Sequence, residues 1–320
     1  MDALRAEYMH PSASLKATKF EILSGGIAVV TLDRPSALNS LSAELNWEVE
    51  HHFKYCDLAS DVRAVVLTGN PESKTSRGQT IFCAGADLAP EDGRAAFAGD
   101  KASSRAARDG EPAKPSRAAT HRDSGGLLSL AINRCRKPVI AAINGTAVGG
   151  GLSPTLAADI RIVSESARLG FVFARRGIVP EAACGYFLPK LVGVALALEW
   201  CMTGRVFPAI EAEGTGLFNH LVPEEVVMPK ALEIAREIVE NCSPSSVTLT
   251  KAMLWKQLDN SSPEQAHLLD SRLLQWSFNQ PDSEEGVKSF IEKRPPRFRT
   301  TGELPDMYPW WNEVETKSRL

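Results

Sequence analysis

Short apolar runs alternate with amphipathic stretches as far as Pro223, and after it only amphipathic stretches remain. A chain patterned this way is expected to fold as an α/β core followed by a helical C-terminal part, because apolar runs bounded by turn residues must be buried in a sheet that helices cover. Phe20 to Leu23 and Ile27 to Leu32 flank Ser24-Gly25-Gly26 and predict a hairpin. Ser42 is a predicted N-cap, with Glu44 in the first turn and Leu45, Val49, Phe53 and Cys56 at helical spacing. Val62 to Thr68 and Pro138 to Ile143 read as buried strands. Ile81 to Cys83 is a shorter apolar run, and Leu127 to Arg134 reads as a helix. A strand from Ala158 to Val163 leads into helical sequence that runs to Lys190. Beyond Pro223, helices are expected over Met228 to Asn241 and Ser245 to Leu258. Two more are expected after the starts at Ser262-Pro263 and Asp282-Ser283-Glu284-Glu285, the last stopped by Pro295-Pro296.

Residues 89–125 break the pattern and read as an insertion. The expected organisation is therefore an N-terminal extension over 1–19, a core over 20–225 that carries this insertion, a helical region over 226–296 and a tail over 297–320. His121, Arg122 and Asp123 end the insertion, where they either line a pocket or form a surface hinge. Trp47, Trp200, Trp255 and Trp276 sit at helical spacings suited to core or interface.

The 320 residues carry a net charge of −3, with 43% apolar and 23% charged side chains. That excludes a disordered chain, a collagen or a coiled-coil rod, and argues against a dedicated nucleic-acid binder, which would show a basic excess. The six cysteines include no CxxC pair and the six histidines no metal-ligand spacing. Reduced thiols and no metal site are expected. No apolar run is long enough for a membrane span, and Met1 to Ala17 lacks the apolar core of a secretory signal. The chain ends in Ser318-Arg319-Leu320, similar to the SKL-type peroxisomal address.

Two glycine turns follow strands: Phe82 to Leu88, containing Gly85, and Ile143 to Gly151, containing Gly145 and the triplet Gly149-Gly150-Gly151. Small residues let a ligand approach the backbone and leave N–H groups that no strand has used. Gly150 is expected at a helix N-terminus, where an N–H favours developing negative charge, and two such groups facing one point make an oxyanion hole. The second turn lacks the GxGxxG spacing of a dinucleotide site.

These segments, together with Asp33 to Asn39, Lys137 to Gly151, Gly204 with Ala212 to Gly216, and Asp282 to Phe298, resemble the crotonase superfamily of enoyl-CoA hydratases and isomerases over roughly residues 20–300. The resemblance implies a crotonase (ClpP-like) fold, a spiral of ββα units with a C-terminal helical trimerisation region, assembled as trimers or hexamers. It implies an acyl-CoA thioester whose carbonyl oxygen is held by the N–H groups of Ala86 and Gly150, with coenzyme A part of the substrate and no separate cofactor. Ala37, Leu38, Ala84 and Gly85 fall where family members line the adenine and pantetheine path, as do Asp87, Leu88 and Gly149. Arg34 and Lys293 are basic residues available to CoA phosphates.

Family hydratases use two glutamates, and the matching positions here are Ser153 and Phe173. Glu181, in the turn Gly177 to Gly185, instead occupies the Pro-Glu position of peroxisomal-type enoyl-CoA isomerases. Its neighbours Ile178, Val179, Ala182 and Ala183 are expected to desolvate it and raise its pKa. The resemblance therefore implies a catalytic set of Glu181, Ala86 and Gly150, and an isomerase that shifts a double bond with one carboxylate. Hydration of a 2-enoyl-CoA is the alternative, and a non-catalytic acyl-CoA-binding or assembly subunit a further one. Combined with the C-terminal tripeptide, the chemistry implies a peroxisomal location reached through an import receptor, with the cytoplasm as the alternative.

Overall fold

The computed structural model describes residues 15–87, 122–258, 262–298 and 303–309. Leu88, His121, most of the insertion and the C-terminal tripeptide lie outside them. The expected hairpin forms from β1 (Thr18–Leu23) and β2 (Ile27–Leu32), with Leu23 paired to Ile27. The boundary expected at residue 19 thus falls inside a strand. The backbone ahead of it is also tied down, because Lys16 and Ala17 donate their N–H groups to the buried Glu48 carboxylate at 2.9 and 3.2 Å.

A six-stranded sheet runs in the order β1, β2, β3 (Ala64–Gly69), β5 (Val139–Ile143), β7 (Ile160–Ser164), β10 (His220–Val222), and only β1 is antiparallel to its neighbour. A second sheet runs β4 (Ile81–Cys83), β6 (Thr146–Val148), β8 (Arg168–Gly170), β9 (Val206–Pro208). The chain feeds the sheets in turn: β3 then β4, β5 then β6, β7 then β8. This is the spiral of ββα units, since α1 (Ala43–Leu58) and α2 (Ser124–Arg134) precede β3 and β5.

The central strands are apolar without alternation because both of their faces are buried. Val65, Leu67, Val139, Ala141 and Ile143 face the main core with α1 and α2. Ala64, Val66, Ile140 and Ala142 face the other way, against Val227, Ala231, Ala235 and Val239, a four-residue stripe on α5 (Glu224–Asn241). The helix expected to open the C-terminal region therefore covers the large sheet. The remaining helices are α3 (Cys184–Val192), α4 (Val194–Thr203), α6 (Pro244–Lys256), α7 (Pro263–Phe278) and α8 (Pro281–Ile291). Ser42 and Ser262 cap as expected, while α8 starts at Pro281 after Gln280 rather than at the Asp282 cluster.

The stretch after Ile143 departs most from expectation. Gly145 to Gly151 does not open an α-helix. It contributes β6 to the small sheet and continues into two 3-10 turns, Gly149–Gly151 and Ser153–Ala157. Gly149 at φ +53° and Pro154 in the second turn both disfavour regular helix here. Gly150 is thus presented by a turn and not by the dipole of a long helix. Among the described residues, no helix is long and apolar enough to cross a membrane.

Candidate active site

The site forms where the ends of β4 and β6 meet. Leu41 and Ala86 make a parallel bridge, with the Leu41 N–H on the Gly85 carbonyl at 2.8 Å and the Asp87 N–H on the Leu41 carbonyl at 2.9 Å. That pairing spends the groups on either side of Ala86 and turns its own N–H away from Leu41. Buried Asn39 pins the loop ahead of Leu41: its amide donates to the Ile81 and Phe82 carbonyls at 3.2 and 3.1 Å. Leu38 and Asn39 both take left-handed backbone, and the Ala84 N–H bonds the Leu38 carbonyl at 3.1 Å. Half-buried Ala37, Leu38, Ala84 and Asp87 and buried Gly85 are thereby brought together as one wall beside the amide of Ala86. Arg34 is committed within this wall, to Asp87 at 2.9 Å and to the Ser40 carbonyl at 2.6 Å.

Gly85 and the glycine triplet are required by close approach. Gly85 sits at φ +95°, and a β-carbon there would stand 2.9 Å from the Val148 carbonyl oxygen. At Gly151 it would collide with the Cys83 carbonyl. At Gly150 it would lie 3.8 Å from the Ala86 nitrogen and 3.2 Å from Glu181 Oε1. The Ala86 and Gly150 backbones therefore lie side by side at this cavity, and among the described residues neither amide donates a hydrogen bond. Neighbouring N–H donors with no acceptor of their own are suited to an oxygen that gains negative charge.

Glu181 reaches this point from a strained turn. Ala182 and Ala183 lie at φ +56° and +55°, and the Cys184 N–H closes the turn on the Glu181 carbonyl at 2.9 Å. Each left-handed alanine costs about 1 kcal/mol or more, and such strain persists where surrounding packing enforces it. The small cavity that the carboxyl enters is lined by Leu41, Asn46, Ala86, Asp123, Gly125, Gly150 and Glu181. Burial first, then the Asp123 carboxylate, push the Glu181 pKa up to about 8. The desolvating wall differs from the expected one. Ile178 and Val179 are 42% and 78% exposed, because the turn directs them outward, whereas Leu41, Asn46, Gly125 and Gly150 line the cavity around the carboxyl.

Ser153 and Phe173, the residues expected in place of the two glutamates, are both buried beside Gly149, with the Ser153 hydroxyl on the Gly149 carbonyl at 3.2 Å. Sequence reasoning passed over three contributors: Leu41, Asn46 and Gly125. It left Asp123 between pocket and surface. Asp123 caps α2 by accepting the Gly126 N–H at 2.6 Å. A β-carbon at Gly125 would overlap Glu181 Oε2. The readable signal was Asp123-Ser124-Gly125-Gly126, an N-cap followed by two glycines inside a helical first turn, where alanine is favoured unless something approaches closely. Among the described residues, no three His, Cys, Asp or Glu side chains are grouped to hold a metal ion.

A family model described as "Enoyl-CoA hydratase/isomerase" matches residues 23–301. The enoyl-CoA hydratase ACTT3 of Alternaria alternata is 42% identical over 277 residues, covering 86% of this chain and 84% of that one. The mevalonyl-coenzyme A hydratase SIDH of Beauveria bassiana is 36% identical over 277 residues, covering 84% and 90%. The crystal structure of an enoyl-CoA hydratase from Bacillus anthracis superposes with a TM-score of 0.74 at 29% identity, covering 89% of this chain and all of that one. With the neighbouring Ala86 and Gly150 amides, the buried glutamate and the two-sheet spiral in place, the chain belongs to the enoyl-CoA hydratase/isomerase family of crotonase-fold enzymes, which act on CoA thioesters.

Proposed function

We propose that the protein hydrates the double bond of a 2-enoyl-CoA, with the thioester oxygen on the Ala86 and Gly150 amides and Glu181 giving a proton to the α-carbon. One observation carries this reading. The carboxyl beside the amide pair has its pKa raised to about 8 by burial and by Asp123, so near neutrality it holds a proton ready to give. Two relatives whose names are hydratases, ACTT3 and SIDH, support the same reaction class.

The double-bond shift expected from the sequence is the second reading. It is favoured by the empty roles of Ser153 and Phe173, since one carboxylate suffices to move a proton from the α- to the γ-carbon. That reaction begins with an ionised Glu181, so its rate is expected to climb towards pH 8, whereas hydration is expected to fall there. Assaying short, medium and long 2-enoyl and 3-enoyl thioesters of CoA against pH separates them. Hydration that declines above about pH 8 supports the first reading, and an isomerase without hydratase activity rejects it.

Assembly as a homotrimer or a pair of trimers belongs to the same proposal. Leu268, Leu274 and Phe278 on α7 and Val287, Phe290 and Ile291 on α8 are more than half exposed. An apolar surface of that kind is expected to be covered by another copy. Sedimentation at micromolar concentration should give three or six chains; a monomer rejects it.

A further inference from the structure

We propose that Asp123 is the second acid–base carboxylate of this site, taking the proton of the attacking water while Glu181 protonates the α-carbon. This rests on the hydration reading and supplies the second carboxylate that positions 153 and 173 lack.

Three placements carry it. First, Asp123 and Glu181 border one small cavity together with both amide donors. Second, they meet over Gly125: a β-carbon there would overlap Glu181 Oε2 and stand 3.3 Å from Asp123 Oδ1. Third, the same cavity holds two buried acceptors that have no hydrogen-bond partner among the described residues, Glu181 Oε1 and Asn46 Oδ1, and Asn46 is only 4% exposed. The Asn46 amide is anchored on Ser124 Oγ at 2.9 Å, next to Asp123, which fixes its direction. A water between polar groups of this kind has the two or more partners it needs to be held in place.

The division of labour follows from the surroundings. Glu181, its pKa raised to about 8 by burial first and then by the neighbouring Asp123, is the carboxyl that holds the proton. Asp123 is held at the start of α2 by accepting the Gly126 N–H at 2.6 Å. Glu181 faces Leu41 and the glycines, which disfavour charge. The other titratable groups near Glu181 are the thiols of Cys83, pushed up to about 12 by burial, and Cys184, pushed up through its hydrogen bond with Cys201 and by burial. Neither contributes a charge near neutrality.

The reaction then balances. The water oxygen bonds to the β-carbon, its proton passes to Asp123, and the π electrons move to the thioester oxygen held by Ala86 and Gly150. The enolate collapses as Glu181 gives its proton to the α-carbon. One H and one OH have been added, and the pair still holds one proton, now on Asp123. Its contact with Glu181 returns that proton and resets the site.

Asp123→Asn and Asp123→Ser both keep an acceptor for the helix cap and remove the carboxylate. Each variant of the full chain is assayed for hydration of the 2-enoyl-CoA that the wild type turns over best. Each is also assayed for deuterium uptake from solvent at the α-carbon of the matching saturated acyl-CoA, which requires Glu181 alone. Hydration is expected to fall by about a hundredfold or more in both. Deuterium uptake is expected to persist, with its pH limb moved to lower pH because Glu181 has lost a neighbouring negative charge. Hydration within about threefold of wild type in a folded variant overturns the proposal. So does joint loss of both reactions with unchanged melting, which would leave Asp123 only holding Glu181 in position. Glu181→Gln is the control: if it retains both reactions, the reading of the whole site fails independently of Asp123.

Discussion

Replacing Glu181 with glutamine should lower turnover by about a thousandfold or more while leaving the fold intact and, at alkaline pH, more stable than the wild type. Glutamine fills the same space beside Gly150 but neither gives nor takes a proton. The residual rate would come from the two amides, which still hold the thioester oxygen. The stability effect has a definite sign. The Glu181 pKa is raised from 4.5 to about 8 in the folded chain, chiefly by burial. Between those values the folded state keeps a proton that the unfolded state has lost, so stability falls as pH rises through this window. Above about pH 8 the full penalty is carried, at roughly 1.4 kcal/mol for each tenfold in acidity, or a few kcal/mol in all. The variant escapes it. Melting curves at about pH 5 and pH 9 should therefore coincide at the lower pH and separate at the higher, with the variant melting later. Retained turnover, or equal melting at both values, would show that the carboxyl is neither catalytic nor desolvated.

Alanine at Gly125 should give the opposite pairing of effects: a helix that is no weaker and an enzyme about a hundredfold slower. Gly125 lies in the first turn of α2, where alanine is favoured over glycine by up to about 1 kcal/mol. Its new methyl would occupy the position of Glu181 Oε2. The obstructed atom is the tip of a flexible side chain, so the carboxyl yields by rotating and the backbone stays in place. A displaced carboxyl no longer faces the carbon that the Ala86 and Gly150 amides present, and a misplacement of about 1 Å costs two orders of magnitude in rate. Steady-state kinetics with a melting curve on the same preparation checks this. Full turnover with unchanged stability would mean that Glu181 does its work from a different position.

Glu181 and Gly125 differ in how legible they are in the sequence. Glu181 stood out because the turn it occupies resembled one in a known family, and the amides of Ala86 and Gly150 because glycines followed strands at both places. Gly125 looked like part of an insertion. Its role depends on a carboxylate 56 residues further along the chain, and no local pattern reports such an approach. Asn46 was equally hidden: it sits on α1 among core residues and reads as an ordinary polar position until α2 packs against it. Ile178 and Val179 misled in the other direction. They adjoin Glu181 in sequence, but the left-handed pair Ala182-Ala183 turns the glutamate inward while they stay outside.

By itself the sequence determined the layered architecture and the family, because apolar periodicity, capping residues and glycine placement are local properties written at each position. It also placed residues that carry no carboxyl, Ser153 and Phe173, where the family resemblance expects glutamates. Only the tertiary structure decided which carboxyl is desolvated, which side chains desolvate it, and that Asp123 lies against it. Those facts are set by the packing of α2 against α1 and the Ser153–Ala157 turn, which brings its first turn to Glu181. Proton affinity depends on distance and burial through space, and separation along the chain carries neither.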